Sequence, residues 1–181
     1  IMPSLVGSEM CIRDRLFIED LMRMLDNTLT KFVKGAPLTM KKAITSAESE
    51  RSVGLGAMGF HSYLQRNGMA LNSPMAMGPN VKIFKYIKKK CDAASLKLGK
   101  ERGEAPDLKG TGKRFSHMTA IAPNASSSII CGNTSPSIEP LRANAFTQKT
   151  LSGSFLIKNK YLEKLLKEKG KNTKDIWKTI I

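Results

Sequence analysis

Between Met118 and Arg142 the chain reads MTAIAPNASSSIICGNTSPSIEPLR, and this stretch limits the folds open to it more than any other. An apolar run, Met118 to Ala122, is stopped by Pro123-Asn124; three serines then lead into a second apolar run, Ile129 to Cys131. That order predicts strand, tight turn and helix, with hydroxyl side chains opening the helix. The first amides of a helix have no internal acceptor, and the helix dipole places partial positive charge beside them. Ser126, Ser127 and Ser128 add hydroxyl donors at the same end. Such an end suits an anion, most naturally a phosphate. Serines at a helix start also serve simply as caps, and no P-loop signature is present to decide between the two.

The rest of the chain alternates helix with strand. Ile18, Leu21, Met22, Leu25, Leu29 and Phe32 recur at helical spacing and predict a helix over 16–33, which Gly35 and Pro37 end. A shorter helix is expected over 38–49. Val81, Phe84, Ile87, Cys91, Ala94 and Leu98 form the clearest stripe and mark a long helix to about Glu101. Residues 103–112, with Pro106 and three glycines, read as a loop. Strands are expected over 144–150 and 154–157. Asn159 then caps a helix that places Tyr161, Leu162, Leu165 and Leu166 inward and ends at Gly170, and residues 173–180 form a last short helix. The class is α/β, helix-rich with short strands.

A second motif competes for attention. Gly54-Leu55-Gly56-Ala57-Met58-Gly59 satisfies G-x-G-x-x-G, after a short strand expected over 52–55 and before a helix through Gln65 closed by Asn67-Gly68. That is the dinucleotide fingerprint, which also requires an acidic residue about twenty positions on, at the end of a second strand. The first acidic residue after Gly59 is Asp92, inside the long helical stripe. The preferred reading is therefore glycines that let a helix pack tightly on a strand.

Other reactive residues give little. His61 and His117 have no partner at metal-ligand spacing. Cys91 belongs to the apolar stripe and reads as a small buried hydrophobe, and Cys131 follows the serine loop without a context that makes it a nucleophile. Three cysteines with no C-x-x-C pair suggest neither a disulfide framework nor a zinc site. The net charge of +15 would favour polyanions. Its lysines, however, alternate with apolar positions at helical spacing, as on a solvated face, and aromatics, at 6%, are not interleaved as stacking platforms. No membrane and no nucleic acid are expected as partners, and a small basic nucleic-acid-binding module stands as the non-enzymatic alternative.

Pro123-Asn124-Ala125-Ser126-Ser127-Ser128, followed by Gly132-Asn133-Thr134-Ser135-Pro136-Ser137-Ile138-Glu139-Pro140, resembles the diphosphate-binding loop of the large, catalytic subunit of class I ribonucleotide reductase. Arg51-Ser52-Val53-Gly54-Leu55-Gly56-Ala57-Met58-Gly59-Phe60 resembles the family's R-x-x-G-x-G-x-x-G segment. Asn144 to Lys149 and Leu151-Ser152-Gly153-Ser154-Phe155 resemble its strands after the loop. The likeness runs from about Phe17 to the end of the chain. A vitamin B12-dependent, class II reductase shares the barrel and a related loop, but usually with glycine and threonine where this chain has Ala125-Ser126. The segment at 151–155 favours class I.

The resemblance implies a partial piece of a ten-stranded α/β barrel. The activity it implies is radical reduction of ribonucleoside diphosphates to 2′-deoxyribonucleoside diphosphates. It assigns Pro123, Asn124, Ala125, Ser126 and Ser127 to the substrate diphosphate. Glu139 is expected to fix that loop. It assigns no catalytic, cofactor-binding or metal-binding residue to this chain, because the family's radical cysteine and redox cysteines have no counterpart in it. For the whole enzyme it implies a metal-containing small subunit, a second large subunit, nucleoside triphosphate effectors and a thioredoxin- or glutaredoxin-type reductant. A cytoplasmic location and a role in DNA replication follow from the same likeness, and this chain alone is expected to be inactive.

Residues 1–15, IMPSLVGSEMCIRDR, show no sustained period and resemble translated sequencing adapter; they are expected to be a non-native or disordered tail, with 16–181 the barrel piece. A barrel piece leaves strands and helix faces unpaired, so the stripes at Ile18 to Phe32 and Val81 to Leu98 are expected to be exposed.

Overall fold

The computed structural model describes residues 10–180, with side chains from Phe17 onward. Residues 1–9 of the expected tail lie outside the described residues. The helices are α1 (Met10–Gly35), α2 (Lys41–Glu50), α3 (Phe60–Arg66), α4 (Pro74–Arg102), α5 (Ala125–Ile130), α6 (Lys160–Glu168) and α7 (Lys174–Ile180). One antiparallel hairpin, β1 (Ala145–Thr150) and β2 (Gly153–Lys158), lies between α5 and α6. The helix expected over 16–33 thus begins at Met10, and the long helix begins seven residues before its stripe does. The chain divides into two compact units, one of residues up to Gly56 with Met77–Ala122, the other of Ala57–Ala76 with Pro123–Ile181.

In the first unit the two stripes expected to be exposed bury each other over much of their length, while Val81, at the start of the second, stays exposed as expected. Ile18 and Met22 of α1 meet Cys91, Ala94 and Leu98 of α4 over Phe115, and Leu25, Val53, Leu55, Tyr86, Ile87 and Met118 complete the cluster. Fully burying a side chain the size of Met22, Leu98 or Phe115 contributes about 1.5–3 kcal/mol, so this pairing is what stabilises the unit. Ion pairs flank it: Glu19 with Lys97 at 2.6 Å and Arg23 with Glu101 at 2.7 Å. The partners advance together along both helices, so α1 and α4 run in the same direction.

One turn beyond Met22 the buried face of α1 carries a carboxylate. Asp26, wholly buried, accepts from Arg51 Nε at 2.8 Å, Arg102 Nη1 at 2.7 Å and Arg114 Nε at 3.0 Å. Arg51 stands at the C-terminus of α2 with φ 46°, in the left-handed region that a long side chain rarely adopts. Its guanidinium also donates to the Asp26 carbonyl and to Thr30 Oγ1. The side chain is anchored at several points, which offsets the backbone strain.

In the second unit the hairpin pairs Ala145 with Lys158 through Thr150 with Gly153, close to the expected strands. Asn159 joins it to α6. Its side chain accepts from Tyr161 N–H, the cap expected there, and also donates to Asn144 Oδ1, while its own N–H reaches Asn144 O at 2.7 Å. Trp177 of α7 is buried, with Nε1 donating to Asn172 and Lys158 Nζ lying 4.7 Å from its ring. Along α6 and α7 the lysines pair with neighbouring acids, as in Lys167–Glu163 and Lys178–Asp175, in keeping with a solvated face. Exposed apolar side chains of this unit lie at Met75, at Ile130 and on the hairpin, and Leu165, expected inward on α6, is exposed as well. Phe155 and Leu156 are each about half exposed, and being adjacent in a strand they point to opposite faces.

Candidate functional site: the serine loop and its supports

The glycine segment meets the chain leading into the loop within the first unit. Val53 N–H bonds His117 O and Leu55 N–H bonds Met118 O, each at 2.9 Å, and Ala120 N–H returns to Leu55 O at 3.2 Å. This parallel pairing amounts to one bridge, Leu55 with Thr119, so the strands expected over 52–55 and 118–122 shrink to a single rung. Gly56 allows it: a Cβ there would stand 2.7 Å from the Ala120 carbonyl oxygen. The glycines are thus a packing device, with Gly56 set against backbone and Gly54 against the Ala120 Cβ, rather than helix against strand. The dinucleotide reading loses its support here. Asp92, the first acid after Gly59, lies within α4 and pairs with Lys88.

In the second unit Pro123 is exposed and Asn124, half-buried, is the N-cap of α5 with φ 49° and ψ 28°. The three serines stand in the first turn of α5, as expected, but no side chain caps the helix. A left-handed turn opens it instead, and Asn is among the few residues that tolerate one. The first bond of the helix runs from Ser128 N–H to Asn124 O, leaving the amides of Ala125, Ser126 and Ser127 ahead of it. Those three residues are exposed, and the Ser126 and Ser127 hydroxyls hold no hydrogen bond among the described residues. Ser128 differs. It is buried, and its hydroxyl donates to Ala125 O at 2.7 Å. Two of the three serines are therefore free donors beside three free amides, and the third is structural.

The chain leaving α5 is fastened to α3. Thr134 N–H bonds Ser128 O at 3.1 Å, and the next residues reach the start of α3. Gly59 N–H donates to Ser135 O and Phe60 N–H to Ser137 O, at 2.9 and 3.3 Å. Ser62 N–H donates to Ser135 Oγ at 3.0 Å while Ser135 N–H donates to Ser62 Oγ at 2.8 Å. Amides at the start of α3, which has no side-chain cap of its own, are thus satisfied from more than seventy residues away. Gly59 makes this approach possible. Its φ is +85°, and a Cβ would stand 2.7 Å from Thr134 Oγ1. Sequence reasoning missed Ser62 and Ser135, because nothing local distinguishes them from surface serines.

A cavity of about 340 Å³ lies behind α5 in the same unit. Ser128 and Ile129 of the helix, Phe146 and Ile157 of the hairpin, and the cations Arg142 and Lys158 line it. Ala125 lines it as well, while Ser126 and Ser127 do not, so the free hydroxyls stand on the open surface.

The remaining expectations divide. Glu139, expected to fix the loop, is exposed and makes no hydrogen bond or ion pair among the described residues; Ser135 and Ser137 hold that segment. His61 Nδ1 accepts from Leu141 N–H at 3.3 Å, and burial lowers the imidazole pKa, so the ring is a neutral structural acceptor. Cys91 is fully buried, and burial raises its thiol pKa as for an inert core residue. Cys131 is exposed. Among the described residues no cluster of His, Cys, Asp or Glu could hold a metal ion, and no helix is long and apolar enough to cross a membrane.

Comparison with known proteins adds an independent line. The family model for the ribonucleotide reductase barrel domain matches residues 13–111 and 105–181. The chain is 49% identical over 168 residues to a ribonucleoside-diphosphate reductase large subunit of Invertebrate iridescent virus 6, covering 92% of this chain and 18% of that protein. It is 54% identical over 159 residues to the large subunit of Invertebrate iridescent virus 3, covering 88% of this chain and 25% of that one. Among solved structures it is similar to the Actinobacillus ureae class Id ribonucleotide reductase alpha subunit. That match has a TM-score of 0.79 and 40% identity, over 90% of this chain and 30% of that chain. The chain therefore spans at most a third of the length of these relatives.

Proposed function

This chain belongs to the ribonucleotide reductase barrel-domain family, and from that we propose that it supplies the substrate diphosphate grip of a class I ribonucleoside-diphosphate reductase large subunit. One observation carries the reading: the amides of Ala125, Ser126 and Ser127 precede the first intrahelical bond, beside two exposed hydroxyls with no partner among the described residues. Diphosphate oxygens are strong acceptors, and hydrogen bonds to charged groups are stronger than those between neutral ones. Pro123 and Asn124 set the turn that aims these donors, and Ala125 keeps the first position small. The grip holds and orients the substrate; it moves no proton and no electron.

In the whole enzyme we assign the reduction of the 2′-position to parts of the large subunit beyond this segment, with the radical supplied by a metal-containing small subunit. Nucleoside triphosphate effectors, a second large subunit and a thioredoxin- or glutaredoxin-type reductant complete the proposal, as does a cytoplasmic setting in deoxyribonucleotide supply for DNA replication. We assign residues 16–181 to the barrel.

The test is Ser126→Ala in the complete large subunit, assayed with its small subunit and reductant. Losing a hydrogen bond to a charged group costs about 1.5–3 kcal/mol, so the KM for ribonucleoside diphosphate should rise about tenfold or more. An unchanged KM removes this hydroxyl from the substrate.

A further inference from the structure

The exposed donors of the loop are mobile unless something fixes the segment that follows them, and here that something is a pair of buried serines. We propose that Ser62 is a positioning residue for the diphosphate loop, acting through Ser135 rather than touching substrate. The inference rests on the proposed grip and goes beyond it, since Ser62 lies on α3 and neither Ser62 nor Ser135 is among the residues assigned to the diphosphate.

The geometry is a closed ring of two hydrogen bonds, Ser62 N–H to Ser135 Oγ and Ser135 N–H to Ser62 Oγ, between side chains that are almost wholly buried. Each hydroxyl accepts the other residue's amide, so neither serine can turn away without leaving a buried N–H unpaired. Gly59 N–H to Ser135 O adds a third bond to the same residue. Ser135 is directly joined to Thr134, whose N–H holds Ser128 O on the last turns of α5. Ser128 in turn holds Ala125 O through its hydroxyl. A continuous chain of bonds therefore runs from α3 through Ser135, Thr134 and Ser128 to the first residue of the cradle. A shift of α5 by a fraction of a hydrogen-bond length moves three amides and two hydroxyls together, which is why one remote bond can alter substrate affinity.

The arrangement also separates positioning from chemistry. A residue that only sets donor geometry alters how well diphosphate is held, and leaves turnover at saturation intact. A residue that only stabilises the fold lowers the amount of active enzyme, and so lowers kcat with KM unchanged.

The experiment uses the complete large subunit with its small subunit and reductant, comparing Ser62→Ala, Ser62→Thr and Ser126→Ala by steady-state kinetics on a ribonucleoside diphosphate. Ser62→Ala should raise KM about three- to tenfold with kcat within about twofold of the parent. Ser62→Thr, which keeps the hydroxyl oxygen, should return KM toward the parent value. Where Ser62→Ala gives no soluble protein, Ser135→Ala removes one bond of the ring and must give the same KM rise. A raised KM for Ser126→Ala beside an unchanged KM for Ser62→Ala overturns the positioning role and leaves the grip standing. A fall in kcat alone likewise overturns it, as the mark of a merely structural residue. Unchanged KM in both variants overturns the grip and the positioning role together.

Discussion

Asp26→Asn tests the physics of the first unit most sharply. Three guanidiniums converge on this one carboxylate, which is 0% exposed, and the substitution keeps its size and one acceptor oxygen while removing its charge. The three arginines do not suffer equally. The Arg102 side chain is 29% exposed and can turn to water, whereas Arg51 is 7% exposed and held at φ 46°. Removing one partner of a buried ion pair costs about 3–5 kcal/mol, and with Arg102 able to rehydrate the lower end, about 3 kcal/mol, is expected. Urea unfolding followed by far-UV circular dichroism at neutral pH measures it. Glu19→Gln is the control on the same helix, since its partner Lys97 is half exposed and such pairs are worth about 0–1 kcal/mol. Acid provides a second reading. Burial by itself would raise the Asp26 pKa, but hydrogen bonds from Arg102, Arg114 and Arg51 outweigh it and hold the carboxyl below its ordinary range. A lowered carboxylate pKa gives stability that is present above the unfolded-state value, about 3.9 for Asp, and lost as pH falls through the folded value. The parent should lose this stability in that acid window, and the Asp26→Asn chain should not. A neutral-pH loss below about 1 kcal/mol would show that the buried guanidiniums find other acceptors, and would refute the view that Asp26 holds them.

Two further outcomes are expected. Gly59→Ala forces a side chain into the left-handed region against Thr134 Oγ1, so melting of the chain should register a loss of about 1–2 kcal/mol or more; an unchanged melting temperature would mean that the contact with Thr134 yields freely. Burial holds the His61 pKa below its ordinary value, so its contribution is present above about pH 6.5 and is lost as acid protonates Nδ1, the acceptor of Leu141 N–H. The melting temperature of the parent should fall between pH 7.5 and pH 5 by more than that of His61→Gln, about these two pH values, and equal falls would remove His61 from that pH dependence.

How much of this was legible follows the range of the interactions. Helix period, the Asn159 cap and the 145–158 hairpin are local, and all could be read from neighbouring residues. The mutual burial of α1 and α4 could not, because a stripe records that a face is apolar and not what covers it. That is why both stripes were expected to be bare. Asp26 was passed over for the same reason. It falls one turn after Met22 on the buried face, but a carboxylate there makes sense only with Arg51, Arg102 and Arg114, which lie 25 to 88 residues away. Strands 52–55 and 118–122 were overestimated because their apolar runs pack against helices as well as against each other, and only one backbone rung is needed to hold them.

The site shows the same division within a single residue type. Ser62, Ser126, Ser127, Ser128 and Ser135 are chemically alike, and sequence could offer cap or ligand for Ser126, Ser127 and Ser128 and no role at all for Ser62 and Ser135. The structure separates them by where the oxygen's second partner is. Ser128 spends its hydroxyl on Ala125 O, and Ser62 and Ser135 spend theirs on each other's amides, all buried. Ser126 and Ser127 spend theirs on nothing among the described residues. A hydroxyl in water loses little by staying unpaired inside the protein, and gains by meeting a charged acceptor. Free donors at the surface backed by satisfied ones beneath are what a preorganised anion grip requires: the outer pair must be available, and the inner three must leave them no freedom to collapse inward.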